Sequence, residues 1–386
     1  ELLNKNRTDL ESMYSRLNNI VLTDKTDFLS KANKTSDPYE VLTNHQPAEI
    51  ADKVLGLQIQ GLSAFEEKWR VYSGNSMAAH TVGFMGYKGN EYAGRYGLER
   101  FYEPTLVRSG DDAFVNFFAE IFSYIKKSVT PGQSLEGDVV TTIEPSVESF
   151  LEQDLAKVNS QYSSEFTGGI VIDPKTGEIY AMAQAPTFDP NDPQKEKNSN
   201  IFRNKFVEDR YEMGSIIKAI TMAIGLDSGA VTPSTTYNDA GCLTLNKKTF
   251  CNYDGKSHGT NLKMQVILDK SLNTGATFVQ QQVGNRKFGD YMLRFGMGST
   301  TGIDLPNEGN SLVSNLTKGN DLEYAQASFG QGIALTPIVT VRALSVLANG
   351  GTLITPHLVK QINYKIGPSK KINYPKGAQI ISPASS

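Results

Sequence analysis

A serine followed three residues later by a lysine stands out near the middle of this chain. In the run 211–218, Ser215 follows a glycine at a predicted helix start, and Lys218 comes one turn later. Side chains three positions apart share a helix face, so the lysine amine can reach the serine hydroxyl. Serine is a weak nucleophile that needs a base to take its proton. The pair therefore predicts acyl transfer, with Ser215 as nucleophile and Lys218 as base.

Lys218 can act as a base only if part of it is uncharged. The ordinary lysine pKa of about 10.4 must fall by roughly three units, which costs on the order of 4 kcal/mol. Burial beside Ile216 and Ile217 is expected to lower the pKa, because burial disfavours a charge. The helix start also carries partial positive charge, which favours an anionic oxygen at Ser215.

A second hydroxyl and a side-chain amide follow at Ser271 and Asn273, in the run 271–284. Each of the two patterns occurs once elsewhere. Ser-x-x-Lys at 123–126 lies in a predicted amphipathic helix, and Ser-x-Asn at 73–75 lies in a predicted loop. Only the motifs at 215–218 and 271–273 have Ser-x-x-Lys first and Ser-x-Asn after it, both in helical contexts. The candidate catalytic residues are therefore Ser215, Lys218, Ser271 and Asn273.

These motifs and the stretches around them resemble the penicillin-binding proteins, most closely the class B type. The resemblance extends over most of residues 60–383 and is specific when its stretches are taken together. It implies an α+β fold. A transpeptidase domain similar to the serine β-lactamases, with an antiparallel sheet flanked by helices, would follow an elongated, non-catalytic pedestal domain. The stretches are GLSAFEEKWRVYSGNSMAAHTVGFMGY, AGRYGLERFYEPTL, GGIVIDPKTGEIYAMAQAPTFDPN, NKFVEDRYEMGSIIKAIT, SLNTGATFVQQQVG, FGMGSTTGIDLPNEG and ASFGQGIALTPIVTVRALSVLANGGTLITPHLV.

Length and turn-forming residues predict two domains. At 386 residues the chain is too long for one ordinary domain. The breaker cluster at 129–134 is the best boundary. We therefore expect the pedestal domain at 1–135 and the transpeptidase domain at 136–386, the latter starting with a strand that runs into a helix at Glu144 and Pro145.

Two positions depart from the family pattern. Met213 stands where the family usually has proline, and Lys-Thr-Gly, the third family motif, occurs only at 175–177. That copy lies between the strand-like runs GGIVID and EIYAMA, so it is predicted to be a hairpin turn without a catalytic role. The resemblance implies that the true third-motif strand binds the substrate carboxylate and completes the oxyanion hole. We expect that the given sequence stops before that strand, so the expected activity is that of the intact protein.

The resemblance implies a serine-type peptidoglycan D,D-transpeptidase. Ser215 would attack the carbonyl between two terminal D-alanines of a stem peptide, and an amine of a neighbouring stem would resolve the acyl-enzyme. Ser271 would pass a proton to the leaving amine, while Asn273 would hold the substrate amide and Lys218. β-Lactam antibiotics would acylate Ser215. The alternatives are a catalytically silent scaffold of a cell-wall synthesis complex, or a hydrolase of the D,D-carboxypeptidase or β-lactamase kind, for which no base is identifiable.

Partners and location follow from the same resemblance. It implies a membrane glycan polymerase of the SEDS type as partner, an N-terminal membrane anchor that is absent here, and an extracytoplasmic location. No apolar run approaches 18 residues. The net charge of −3 shows no basic excess that would predict nucleic-acid binding. No cofactor is expected.

The remaining polar motifs have structural interpretations. Cys242 and Cys251 flank a predicted hairpin and are either disulfide-linked or unpaired, and two cysteines alone do not make a zinc site. Asp304 and Glu308 are predicted to lie in a solvated turn, not in a glycosidase carboxylate pair. The glycines at 330 and 332 are predicted to form a structural turn before a helix at Thr336 and Pro337.

Overall fold

The computed structural model describes residues 2–3, 9–34, 39–44, 46–65, 69–88, 91–107 and 136–386. The described residues form two compact units, one up to Trp69 and the other from Arg70 onward. The predicted domain boundary at 135 stays a prediction, because the cluster at 129–134 lies outside the described residues. The second Ser-x-x-Lys, at 123–126, also lies outside them.

The first unit contains three short helices and one small strand pair. The helices are α1 (Leu10–Asn18), α2 (Lys25–Ala32) and α3 (Ala48–Gly56), and the strands are β1 (Leu2–Leu3) and β2 (Tyr39–Glu40), which pair antiparallel. The side chains of Asp9 and Asp24 accept backbone N–H bonds in the first turns of α1 and α2. Such caps satisfy donors that a helix start leaves unpaired. The buried apolar residues that hold the unit together are Leu17, Val21, Phe28, Ala32 and Val54.

Residues 70–107 open the second unit. They form the antiparallel hairpin of β3 (Met85–Lys88) and β4 (Glu91–Gly94), together with α4 (Ala79–Val82), α5 (Gly97–Phe101) and α6 (Glu103–Leu106). Phe84 contacts the rings of Phe188 and Phe202 at centroid distances of 5.7 and 4.8 Å. The backbone N–H of Tyr72 donates to Asn191 Oδ1 at 2.8 Å. This segment therefore packs directly on the elements that follow residue 136.

Residues 136–386 begin with a strand, a long helix and a hairpin, and that strand joins a sheet with two strands from the end of the chain. Strand β5 (Gly137–Thr141) runs into α7 (Pro145–Tyr162), which confirms the predicted junction at Glu144. Helix α7 packs on the hairpin of β6 (Thr167–Ile172) and β7 (Ile179–Ala185). Strand β5 pairs with β12 (Val359–Tyr364), which also pairs with β13 (Lys370–Lys371).

The Lys-Thr-Gly sequence at 175–177 forms the turn of the β6–β7 hairpin. The Lys175 N–H donates to Asp173 Oδ1 at 2.7 Å, and Gly177 has a φ of +87° that suits glycine. The predicted hairpin turn is confirmed.

Helices are the main regular elements of the remainder, and one of them begins beside Ser215. Helix α9 (Ile217–Asp227) is buried along most of its length and packs against the helices at Asn273–Val283 and Pro337–Ser345. The other helices are α8 (Lys205–Glu208), α10 (Met264–Asp269), α11 (Asn273–Val283), α12 (Asn285–Arg294), α13 (Asn315–Lys318), α14 (Asp321–Ala327) and α15 (Pro337–Ser345). The 3₁₀ segments are Pro193–Lys195, Ser199–Phe202, Gly214–Ile216 and Val346–Ala348. The remaining strands are β8 (Thr236–Asp239), β9 (Cys242–Leu245), β10 (Lys248–Cys251) and β11 (Gly259–Lys263).

The predicted helix start at Thr336 and the predicted cysteine hairpin are both present. The Thr336 hydroxyl accepts the Val339 N–H at the start of α15. Strands β9 and β10 pair antiparallel, with a two-residue turn at Asn246 and Lys247. Cys242 and Cys251 face each other across this pair and are joined as a disulfide. Of the two states that the sequence left open, the structure has the linked one.

The prediction of a solvated turn at Asp304 and Glu308 was wrong. Asp304 is only 3% exposed, and its carboxylate accepts the N–H groups of Leu358 and Val359 at 2.8 and 2.9 Å. The hydroxyls of Tyr102 and Tyr374 also donate to it. Glu308, which is partly buried, accepts backbone N–H bonds in its own loop. Asp304 therefore ties that loop to the start of β12.

Replacing Asp304 should destabilise the second unit strongly. In Asp304→Ala, three donors lose their acceptor, namely the N–H groups of Leu358 and Val359 and the Tyr102 hydroxyl, and each buried unsatisfied donor costs about 1–3 kcal/mol. The Tyr374 hydroxyl keeps the Val359 carbonyl at 2.8 Å. We expect the free energy of unfolding in urea to fall by about 3 kcal/mol or more. Asp290→Ala, which removes an exposed aspartate from α12, is the matched control and should stay close to the unsubstituted protein. Equal losses in both variants would contradict this account.

Candidate active site

Ser215 lies exposed at the start of a buried helix. The 3₁₀ turn Gly214–Ile216 leads directly into α9, and Gly214 has a φ of +61°, a conformation that glycine adopts readily. Lys218, one turn later, is only 3% exposed. An accessible hydroxyl therefore stands beside a desolvated amine, as the spacing predicted.

The two serines and the lysine form a closed triangle of hydrogen-bonding atoms. Lys218 Nζ lies 3.1 Å from Ser215 Oγ and 3.0 Å from Ser271 Oγ, and the two hydroxyl oxygens are 3.0 Å apart. Lys218 Nζ also donates to the Ser271 carbonyl at 2.6 Å. A proton can therefore pass between any two corners without a side-chain rearrangement. The structure thus brings together three of the four predicted site residues.

Burial lowers the pKa of Lys218 to about 8. Among the described residues no carboxylate lies within salt-bridge distance of its amine, so little opposes the desolvation. At pH 7 a pKa of about 8 leaves roughly a tenth of the amines neutral. The pKa of Lys218 is lowered, as a role as base requires, and Lys218 can accept the Ser215 proton.

Ser271 adopts a left-handed backbone conformation directly before α11, with a φ of +52°. This conformation is costly for a residue with a side chain. Here it accompanies an arrangement in which the carbonyl and hydroxyl of one residue both contact Lys218 Nζ. Because a carbonyl can only accept, it fixes the direction of one Lys218 N–H bond.

Asn273 is the first residue of α11, two positions after Ser271. Its Nδ2 donates to the carbonyl of Cys251, at the end of β10, at 2.9 Å. Among the described residues it makes no hydrogen bond to Lys218. The cysteine hairpin is therefore in direct contact with the second motif, and the expected role of Asn273 towards substrate stays a prediction.

A glycine loop supports the nucleophile segment from the other side. Gly330 has a φ of +77°, and a side-chain Cβ there would come within 2.2 Å of the Gly214 carbonyl oxygen. Gly214 N–H donates to the Gly330 carbonyl at 3.1 Å. Tyr211 and Leu335 exchange two backbone hydrogen bonds of 2.9 Å. The turn after α14 thus fixes the backbone that carries Ser215.

Sequence reasoning identified the turn at 330–332 but not its contact with Gly214, and it missed Asp239. Gly330 and Gly214 are 116 positions apart, and no local pattern links them. Asp239 has a local signal, because it precedes a glycine two residues later, and Asp-x-Gly favours a side-chain-capped turn. Its buried carboxylate binds Thr274, next to Asn273.

Residues 167–385 match the family model for the penicillin binding protein transpeptidase domain. The match covers more than half of the chain, and the chain belongs to this family.

Relatives and a solved structure agree with this assignment. Stage V sporulation protein D of Bacillus subtilis is 30% identical over 321 residues, covering 81% of this chain and 48% of that protein. The peptidoglycan D,D-transpeptidase FtsI of Buchnera aphidicola is 26% identical over 304 residues, covering 78% and 52%. Penicillin binding protein 3 of Mycobacterium tuberculosis complexed with ampicillin has a TM-score of 0.68 at 24% identity, covering 82% and 65%. The chain spans about half the length of these two curated relatives.

The predicted class B penicillin-binding protein and its α+β transpeptidase fold are confirmed by these findings. Within the described residues, no helix is long and apolar enough to cross a membrane. The same residues contain no group of three or more side chains arranged to hold a metal ion.

The lowered pKa of Lys218 should appear in the pH dependence of stability. The folded protein loses this proton near pH 8 and the unfolded chain near 10.5, so the unfolded state binds more protons between these values. Stability therefore rises with pH across that window. We expect the unfolding free energy, relative to Lys218→Met, to increase by on the order of 2 kcal/mol from about pH 7 to about pH 10. Lys270→Met, which removes an exposed lysine, is the control and should follow the unsubstituted protein across pH. If the stability of Lys218→Met also ran parallel to that of the unsubstituted protein, the lowered pKa of Lys218 would be refuted.

Two substitutions of Ser271 should separate its backbone from its hydroxyl. Both Ser271→Ala and Ser271→Gly remove the hydroxyl, but only glycine adopts a φ of +52° without strain. We expect Ser271→Gly to be more stable than Ser271→Ala by about 1 kcal/mol in urea unfolding. An alanine variant as stable as the glycine variant would show that the left-handed backbone stores no strain.

Proposed function

We propose that this chain carries the catalytic serine of a peptidoglycan D,D-transpeptidase that cross-links stem peptides through a Ser215 acyl-enzyme. The observation that carries the proposal is the triangle of Ser215, Lys218 and Ser271, with three sides of 3.0–3.1 Å around an amine whose pKa is lowered to about 8. Family membership and the names of the relatives support the choice of substrate.

In the first half-reaction, Ser215 Oγ attacks the carbonyl carbon between the two terminal D-alanines. Lys218 Nζ takes the Ser215 proton as the C–O bond forms. When the C–N bond breaks, the leaving D-alanine amine takes a proton from the Ser271 hydroxyl. Lys218 then gives its extra proton to Ser271 Oγ, 3.0 Å away. The products are an ester at Ser215 and free D-alanine, and the lysine is neutral again.

The second half-reaction uses the same path in reverse. The acceptor amine of a neighbouring stem peptide attacks the ester, and its proton passes through Ser271 to Lys218 and then to the Ser215 oxygen. Asn273 holds the donor amide with the side-chain groups that its bond to Cys251 leaves free. The four roles are nucleophile, base, proton carrier and substrate holder.

A hydrolase on the same fold has less support. Deacylation by water needs a base beside the ester, and among the described residues no carboxylate hydrogen-bonds to Ser215, Lys218 or Ser271. A catalytically silent scaffold also has less support. A site without catalytic use would have no need for a buried lysine that no carboxylate pairs with among the described residues, because such a lysine destabilises the fold.

The proposal extends to the setting of the whole protein. The acyl donor is a stem peptide ending in D-Ala-D-Ala, and β-lactams acylate Ser215 because they resemble that end. The protein works outside the cytoplasm, held by an N-terminal membrane anchor, and a SEDS-type glycan polymerase is its partner. Residues 1–135 form the pedestal and 136–386 the transpeptidase domain.

Intact mass after incubation with a penicillin tests the proposal. We expect a mass gain of one drug molecule in the unsubstituted chain and none in Ser215→Ala, because Ser215 is the proposed nucleophile. Ser123→Ala, in the second Ser-x-x-Lys, is the matched control and should be labelled as fully as the unsubstituted chain.

The same assay on a chain extended at its C-terminus through a Lys-Thr-Gly strand separates two negative results. Labelling of the extended chain alone supports the proposal and shows that labelling depends on the third motif. Absence of labelling in both chains, or labelling that survives Ser215→Ala, refutes it. Donor turnover with and without an acceptor amine then distinguishes transfer from hydrolysis.

A further inference from the structure

Asp239 is a buried carboxylate with an unusually full set of donors. It ends β8, is 4% exposed, and accepts the hydroxyl of Thr274 at 2.6 Å. Its oxygens also accept the Asn252 side-chain amide at 3.0 and 3.1 Å, and the backbone N–H groups of Gly241 and His258 at 2.9 and 2.8 Å. Burial alone would raise the pKa of Asp239, but these hydrogen bonds outweigh it and lower the pKa. The carboxylate therefore stays ionised as a fixed acceptor.

Two of these donors lead directly to Asn273. Thr274 is the next residue along α11, and its backbone N–H also donates to Asn252 Oδ1 at 3.3 Å. Asn252 follows Cys251, whose carbonyl accepts Asn273 Nδ2 at 2.9 Å. The Asp239 carboxylate thus holds two residues around Asn273. One is Thr274, the next residue along the chain, and the other is Asn252, which follows the Cys251 carbonyl that Asn273 binds.

This arrangement determines which groups of Asn273 remain free. An asparagine amide has two N–H donors and a carbonyl oxygen with two lone pairs. The bond to Cys251 occupies one N–H and fixes the plane of the amide, so the remaining N–H and the oxygen point in set directions. Groups that must meet a substrate amide gain from such orientation, because misplacement by about 1 Å can cost about a hundredfold in rate.

We propose that Asp239 is a positioning residue that orients Asn273 for the acyl donor through Thr274 and Asn252. This inference rests on the proposed function and deepens it. Asp239 does not touch the reacting atoms and acts only through Asn273. A carboxylate that merely anchored the cysteine hairpin would contribute to stability and leave the Asn273 amide where it is.

Helix α11 offers a matched pair of substitutions. Thr274→Val removes the hydroxyl that donates to Asp239 and keeps the shape of the side chain. Thr277→Val makes the same change three residues later, where the threonine is fully buried and its hydroxyl has no hydrogen-bond partner in the described part of the chain. Thr274→Ser restores the hydroxyl and serves as the rescue.

The first measurement follows Asn273 itself, without reference to activity. In protein labelled with ¹⁵N-asparagine, the side-chain amide signals of Asn273 are assigned by their loss in Asn273→Asp. We expect these signals to shift in Thr274→Val and to stay near their original positions in Thr277→Val and Thr274→Ser. Unmoved signals in Thr274→Val would overturn the proposal, whether or not the chain is labelled by a penicillin.

The second measurement is the rate of acylation by benzylpenicillin across pH. We expect Thr274→Val to lower the second-order rate by about 10- to 100-fold, with the apparent pKa of the profile unchanged, because the Ser215–Lys218 pair is intact. Thr277→Val should match the unsubstituted chain and Thr274→Ser should recover most of the rate. Equal rates in both valine variants would overturn the proposal. Absence of acylation in both the unsubstituted chain and the C-terminally extended chain would count against the proposed function alone.

Discussion

The structure around the site depends on keeping one lysine out of water, with no carboxylate paired to it among the described residues. Lys218 is almost fully buried, and its contacts are two hydroxyls and one carbonyl. A charged amine in such a place is disfavoured, and this lowers its pKa to about 8. The same burial destabilises the folded protein, so the surrounding apolar core must offset it. The mostly buried helix α9, with Ile217, Ile220 and Ile224 in the core, is the element that does so.

The hydroxyls of Ser215 and Ser271 are held at this lysine by two backbone segments, one supported by close packing of glycines and the other in an uncommon backbone conformation. Gly214 and Gly330 meet at a distance that excludes a side chain at position 330, so the strength of this support comes from close packing of main chain. Ser271, in contrast, accepts an uncommon backbone conformation and contributes both its carbonyl and its hydroxyl. Strain of this kind tends to be retained at functional sites because the surrounding structure enforces it.

The sequence was informative where chemistry is local. Ser215 and Lys218 share a helix face, and the turn at 175–177 lies between two alternating runs, so spacing alone was sufficient for both. It failed where distant segments meet. Asp304 lies among proline and glycine, which predicts an exposed turn, and only its contact with β12 makes it buried. The hydrogen bond between Thr274 and Asp239 joins residues 35 positions apart, and no apolar periodicity predicts it.

The glycine contact behind the nucleophile also limits how this site can vary. Gly330 packs against the backbone that carries Ser215 and cannot gain even a methyl group without displacing the Gly214 carbonyl. A substitution that alters the surroundings of Ser215 while leaving its backbone in place is therefore easier to accommodate at a side chain that faces solvent. Ile216, the residue after Ser215, is exposed in this way, and so is Tyr211, four positions before the serine. Exposed side chains on this segment can thus vary while the main chain that carries the serine stays the same.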